Sequence, residues 1–249
     1  PWMLNGTALL SHGWRPESGF IPHYWDTYSE HPILYLLGIG SPTHPLPAES
    51  WWAWRRDWNE YGGRRYLGHA GLFTYQYSQA FVDFRRRREN REPFADYFEN
   101  SVKAIRAHRQ FCIDLRMEFP GYSENVWGIS ASDSKKGYVG WKGPPRDKSI
   151  DGSVVPYATI GSLMLTPDIA LPAIRELKER FGKRVYSRYG LPSAFEPAGD
   201  WVGPDVVGID AGISLLSIEN YRSGRNWSWF MKNREIPRAL DAAGIVRVK

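Results

Sequence analysis

The chain has 249 residues, of which 42% are hydrophobic, and carries 32 Lys and Arg against 27 Asp and Glu, a formal net charge of +5. That balance fits a folded domain with a sizeable core and excludes a disordered tail or a coiled coil. No apolar run reaches the roughly 18 residues a membrane-spanning helix needs, and the single cysteine, Cys112, excludes an internal disulfide or a cysteine zinc cluster.

The first residues, Pro1-Trp2-Met3-Leu4, form neither an initiator methionine nor a signal peptide. The expectation is a piece of a longer protein, its targeting signal outside these residues. From there two kinds of helical segment alternate. Residues 28–40, 72–84, 154–165 and 209–221 are almost uncharged and read as buried helices. Each is followed by a charged amphipathic segment, residues 49–61, 96–115, 167–181 and 226–243, read as a surface helix. In 96–115, Val102, Ile105, Cys112 and Leu115 fall near one face, which makes Cys112 a core residue. In 167–181, Thr166 reads as the N-cap, Pro167 as the first helical residue, Glu176 and Arg180 as an i,i+4 pair and Gly182 as the terminator. The run Arg85-Arg86-Arg87-Arg88 has the charge to hold phosphate. With Asp83, Glu89 and Glu92 beside it, it reads instead as a solvated helix face. No aromatic–basic interleaving suggests nucleic acid.

Four buried-then-exposed pairs predict an all-α inner layer within an outer one. The loops 120–152 and 186–208 are long enough to be functional. With parallel inner helices, the loops before them gather at one mouth. The 12 Trp, 14 Tyr and 11 Phe suggest an aromatic-lined cleft there as well as an aromatic core.

Breaking a glycosidic bond needs a protonated carboxyl for the leaving oxygen and a carboxylate to activate water or attack carbon. Glu30 precedes the apolar run to Leu37, where burial would raise its pKa and suit it as the acid. Asp210 opens the last uncharged segment and is a candidate base. Helix capping is the competing explanation for both. Gln76, Tyr77 and Tyr157 could bond sugar hydroxyls or merely cap and pack. Glu219 with Arg222, and Asp83 with Arg85, read as structural pairs. The scattered His23, His31, His44, His69 and His108 have no metal-ligand spacing, and no phosphate-loop, dinucleotide or nucleophile-elbow pattern occurs. Asp57, Asp114 and Asp133 are isolated and read as exposed.

As a set, Gly13-Trp14-Arg15-Pro16-Glu17-Ser18-Gly19-Phe20, Trp25-Asp26-Thr27-Tyr28-Ser29-Glu30, Phe73-Thr74-Tyr75-Gln76-Tyr77-Ser78, Asn125-Val126-Trp127-Gly128 and Gly208-Ile209-Asp210 resemble the glycoamylase-like domain. That family includes the bacterial endo-β-1,2-glucanases of glycoside hydrolase family 144, and the resemblance covers nearly the whole chain. It implies an (α/α)6 toroid, of which residues 1–249 would be one catalytic domain lacking its N-terminal hairpins. It implies an inverting glycoside hydrolase of β-linked glucan, with Glu30 at the acid position and Asp210 as the second carboxylate. Substrate would meet Trp25, Asp26, Tyr28, Gln76, Tyr77, Trp127, Tyr157 and Trp201. It implies no cofactor or metal, a saccharide as the only partner, a monomer, and a periplasmic or secreted location. One departure is Ala211-Gly212-Ile213 where the family pattern has Gln-Gly-Pro, which removes an amide near the base. The competing expectations are a transglycosylase of the cyclic-glucan synthase type and a non-catalytic glucan-binding domain, with Trp25, Trp127, Trp141 and Trp201 as stacking platforms.

Overall fold

The computed structural model describes residues 2–68, 71–140 and 143–248. Among the described residues the architecture is largely helical, with four small antiparallel ladders. The uncharged segments give α1 (Pro32–Gly40), α3 (Phe73–Phe81), α5 (Pro156–Gly161) and α8 (Gly208–Ser223). These four pack together, with α3 against α1, α5 and α8. Close approach is possible where side chains vanish. At Gly161 of α5 a Cβ would collide with the Gln76 carboxamide of α3, and at Gly40 of α1 with the backbone of Glu235.

The charged segments are more varied than expected. Asp96 caps α4 (Tyr97–Asp114), its carboxylate accepting from the Glu99 N–H at 2.9 Å. Ile105 and Cys112 are buried on its inner face, with Val102 and Leu115 packed beside them. In α6 (Pro167–Glu176), Pro167 stands in the first turn and Glu176 meets Arg180 at 3.4 Å. Gly182 does not end the element, because its φ of −50° is helical. The chain passes through a π turn at Leu177–Phe181 into α7 (Gly182–Val185). Residues 226–243 divide into α9 (Arg225–Phe230) and α10 (Glu235–Ala242), and α10 packs on α1.

Two segments read as helical contain strands. Within 49–61 only α2 (Ser50–Ala53) is helical, and β3 (Trp58–Tyr61) pairs with β4 (Arg64–Leu67). The Gly62-Gly63 turn between them has φ of 56° and 69°, which glycine adopts without steric cost. The arginine run is no helix face: β5 (Arg87–Glu89) pairs with β8 (Ile245–Arg247). Glu89, read as solvated, is fully buried. It accepts from Arg56 Nη2 at 2.6 Å, Tyr97 Oη at 2.6 Å and Trp51 Nε1 at 2.9 Å. The other ladders are β1 (Trp14–Arg15) with β2 (Gly19–Phe20) and, inside the 120–152 loop, β6 (Ala131–Ser134) with β7 (Gly137–Gly140).

Most aromatic residues serve the core and not a cleft. Tyr28 lies stacked on Tyr97 at 5.8 Å and 7°, with Trp51, Trp54, Tyr75 and Phe84 close by. His31 and His108 are buried in this region, and desolvation lowers each pKa to about 3, so both are neutral core residues. Among the described residues no helix is long and apolar enough to cross a membrane, and no group of His, Cys, Asp and Glu is arranged to hold a metal ion.

Candidate active site

Glu30 sits one residue before the cap of α1, and its position is set from α3. The Ser78 hydroxyl donates to the Glu30 carbonyl at 2.6 Å and accepts the Ile33 N–H at 3.1 Å, tying the approach to α1 onto the middle of α3. The half-buried Glu30 carboxylate accepts a hydrogen bond from the Ser29 hydroxyl.

Asp210 lies in the first turn of α8, on the face that packs inward with Ile213, Ser217 and Asn220. It is 9% exposed, and its Oδ2 is buried without a hydrogen-bond partner among the described residues. Desolvation is the main reason its pKa rises to about 6; the Ser193 hydroxyl works against the rise and the nearby Asp133 adds to it. Asp210 is the more deeply buried of the two carboxyls.

Tyrosines join the two carboxyls into one neighbourhood. Tyr138, 72% exposed on β7, has its pKa raised by burial of its hydroxyl and then by the negative charges of Asp210, Asp133 and Glu30. Tyr157, in the first turn of α5, is raised chiefly by desolvation; a Ser130 hydrogen bond opposes this, and Asp210, Tyr138 and Glu30 contribute. Carboxyls 180 positions apart in sequence thus act on the same two phenols.

The other candidates divide. Tyr77 is partly exposed on α3, stacked on Phe73 at 5.1 Å, and Phe73 meets Tyr157 edge-on at 6.1 Å. Trp201 is partly buried against the core, and Trp25 is half-exposed over His12 at 4.0 Å. Asp26 is held at the surface by Arg55 at 3.2 Å. Four candidates turn inward. Tyr28 is in the aromatic core. Trp127 is 1% exposed. Gln76 Nε2 donates to the Ala158 carbonyl at 2.6 Å and Ser162 Oγ at 2.9 Å, bridging α3 to α5. Tyr157 donates to the Ala131 carbonyl at 2.7 Å. Gln76 Nε2 and the Tyr157 hydroxyl are committed to the fold, Gln76 Oε1 and Trp127 Nε1 are buried without a hydrogen-bond partner among the described residues, and all four side chains are buried. Trp141 and His69 lie outside the described residues. Glu219 bonds Ser223 at 2.6 Å and approaches Arg225 at 3.6 Å; Arg222, its expected partner, is not in that pairing.

Three contributors were missed from sequence. Asp133, read as exposed and isolated, has its Oδ2 buried without a hydrogen-bond partner among the described residues. Its backbone N–H reaches Ser193 Oγ at 3.3 Å, so β6 and the 186–208 loop are joined beside Asp210. Tyr138 completes the group. The signal for Tyr138 and Ser193 was their position in the two long loops.

A family model described as "Putative glucoamylase" matches residues 22–234. The exo β-1,2-glucooligosaccharide sophorohydrolase (non-reducing end) of Parabacteroides distasonis is 27% identical over 267 aligned residues, covering 96% of this chain and 36% of that protein. The structure of an endo-β-1,2-glucanase from Chitinophaga pinensis, solved with sophorotriose and glucose, has a TM-score of 0.90 and 28% identity over 98% of this chain and 61% of its own. A Bacteroides uniformis structure carrying the same description as the family gives a TM-score of 0.91 at 30% identity, over 99% of this chain and 62% of that one. The chain therefore spans about a third of the curated relative and about three fifths of these solved ones.

Proposed function

From a chain that belongs to the Glycoamylase family, we propose a glycoside hydrolase that cleaves β-linked glucan, β-1,2-glucan first among the linkages, by an inverting acid–base mechanism. The observation that carries the reading is that the negative charges of Glu30 and Asp210 both act on Tyr138 and Tyr157. The β-1,2-specific sophorohydrolase and endo-glucanase among the relatives support the linkage.

In this mechanism Glu30 gives its proton to the glycosidic oxygen as the C1–O bond breaks. Water attacks C1 from the opposite face and its proton passes to Asp210, directly or through a substrate hydroxyl. Inverting enzymes of this kind hold their carboxyls about 6.5–9.5 Å apart to admit the water. The raised pKa of Asp210 makes its carboxylate a stronger base once it is ionised. Trp25, Asp26, Tyr77 and Trp201 remain the candidate sugar contacts, and the exposed Tyr138 joins them. Tyr28, Gln76, Trp127 and Tyr157 support them from behind.

The rest of the reading follows from the family. The packed uncharged helices form part of an (α/α)6 toroid, within a single catalytic domain that acts as a monomer in the periplasm or outside the cell. A digest of β-1,2-, β-1,3- and α-1,4-glucans, comparing the chain with Glu30→Gln, tests the proposal. The expected result is cleavage of the β-1,2 polymer, with turnover falling about 10²- to 10⁴-fold in the variant while binding persists. Wild-type protein that binds β-glucan and cleaves none of it would identify a binding module and refute the hydrolase.

A further inference from the structure

The arginine run has no place in the hydrolase reading. Past the C-terminal end of α3, the chain turns through Arg86, whose φ of 55° is unusual for a side chain with a Cβ, and enters β5. There Arg87 stands directly opposite Arg247 in the β5–β8 register. Like charges facing each other across a ladder destabilise it. A cavity of about 490 Å³ opens at this point, lined by Arg85, Arg86, Arg87, Arg247, Asp83 and Ser228.

The charges in it are poorly matched. Asp83 is committed to Arg85, with bonds of 2.8 Å to both Nε and Nη2, and Arg85 also lies 4.2 Å over the Trp227 ring. Arg87 is only 9% exposed, and the carboxylate nearest it in the cavity, Asp83, is paired with Arg85 instead. Desolvation and then Arg247 lower its pKa, and Asp83 and Asp241 only partly offset them. A largely buried guanidinium beside the like charge of Arg247, only partly offset by Asp83 and Asp241, leaves room for an added counter-charge. Guanidinium forks match the oxygens of phosphate in pairs.

We propose that this cavity, between the β5–β8 ladder and the α8–α9 turn, is a binding site for a phosphate-class oxyanion, held by Arg87 and Arg247 and flanked by Arg86. It lies beyond the C-terminal end of α8, whose first turn carries Asp210, so about 20 Å of helix separates it from the candidate active site. The anion joins the C-terminal strand to the end of α3 and does not compete with sugar.

Calorimetric titration of the whole chain with inorganic phosphate, alongside thermal melts in phosphate or chloride at equal ionic strength, tests the site. Phosphate is expected to bind and to raise the melting temperature by several degrees over chloride. Arg247→Gln and Arg86→Gln, both at exposed positions, are expected to fold as the parent does by circular dichroism and to weaken phosphate binding at least tenfold. Glucose 6-phosphate against glucose separates the sources. Tighter binding of the sugar phosphate than of inorganic phosphate, with none of glucose, assigns a phosphorylated saccharide; equal binding assigns the free anion. Phosphate no better than chloride, or affinity unchanged in both variants, would mean that the arginines serve only the carbonyl ends of α3 and α8, and the site is refuted.

Discussion

At Asp210, burial sets the chemistry and the stability together. A carboxyl whose pKa rises to about 6 on folding keeps its proton longer in the folded state than in the unfolded one, where the pKa is about 3.9. The associated stability is complete below about pH 4 and is lost as pH rises through about 6. Allowing for the side chain's remaining access to water, ionising it costs about 1–2 kcal/mol at neutral pH. Asp210→Asn is therefore expected to melt several degrees higher than the parent at pH 7, to melt equally at pH 4, and to lose catalysis. Melts at the two pH values check this, and a gain of the same size at both would contradict it. Glu89 is the opposite case, a buried carboxylate with every partner in place. Glu89→Ala strands Arg56, which is 8% exposed at its side chain, and urea titration is expected to show a loss of about 3–5 kcal/mol.

Among the elements, the β6–β7 hairpin is the one whose position matters most for the site. It carries Asp133 on one strand and the exposed Tyr138 on the other. Tyr138→Ala is expected to raise KM severalfold with kcat within about twofold, because in the proposed mechanism the ring would contact sugar without exchanging a proton. Steady-state kinetics on β-1,2-glucan would expose a kcat effect if the ring took part in the chemistry. The uncharged helices could be read from composition alone, since α1, α3 and α5 fall within the expected segments and α8 overruns its segment, 209–221, slightly at both ends. The misread elements have distinct physical causes. The β3–β4 hairpin was announced locally by Gly62-Gly63, a turn signal overruled by the amphipathic reading of 49–61. The β5–β8 ladder had no local signal, because its partners lie over 150 positions apart. Gly182 stops a helix only when it takes a positive φ, which it does not.

Across the whole molecule, aromatic abundance pointed to a cleft as well as a core, and the largest fully buried side chains are Trp51, Trp54 and Trp127. Composition cannot distinguish an aromatic core from an aromatic binding face, because both remove the same ring area from water. What the sequence pattern did foretell is a largely helical fold whose uncharged segments pack together. The flanks of that packing are apolar: Leu34 and Leu37 on α1, and Ile209, Leu215, Ile218 and Tyr221 on α8, are exposed, with Leu215 at 67%. Apolar patches of this kind mark contact surfaces, and they agree with the proposed ring, in which inner helices have neighbours on both sides. The two carboxyls were identifiable as candidates from the segments that hold them. Their shared surroundings were not, because Tyr138, Ser193 and Asp133 reach them only through the fold of two long loops.

The claim that Glu30 and Asp210 work as one machine is tested most directly by a double-mutant cycle. Turnover of β-1,2-glucan would be measured for the parent, Glu30→Gln, Asp210→Asn and the double variant at one pH. Groups that serve a single step are strongly non-additive, so the account predicts a double variant barely slower than the worse single one. Losses that multiply, or an Asp210→Asn protein as fast as the parent, would contradict it.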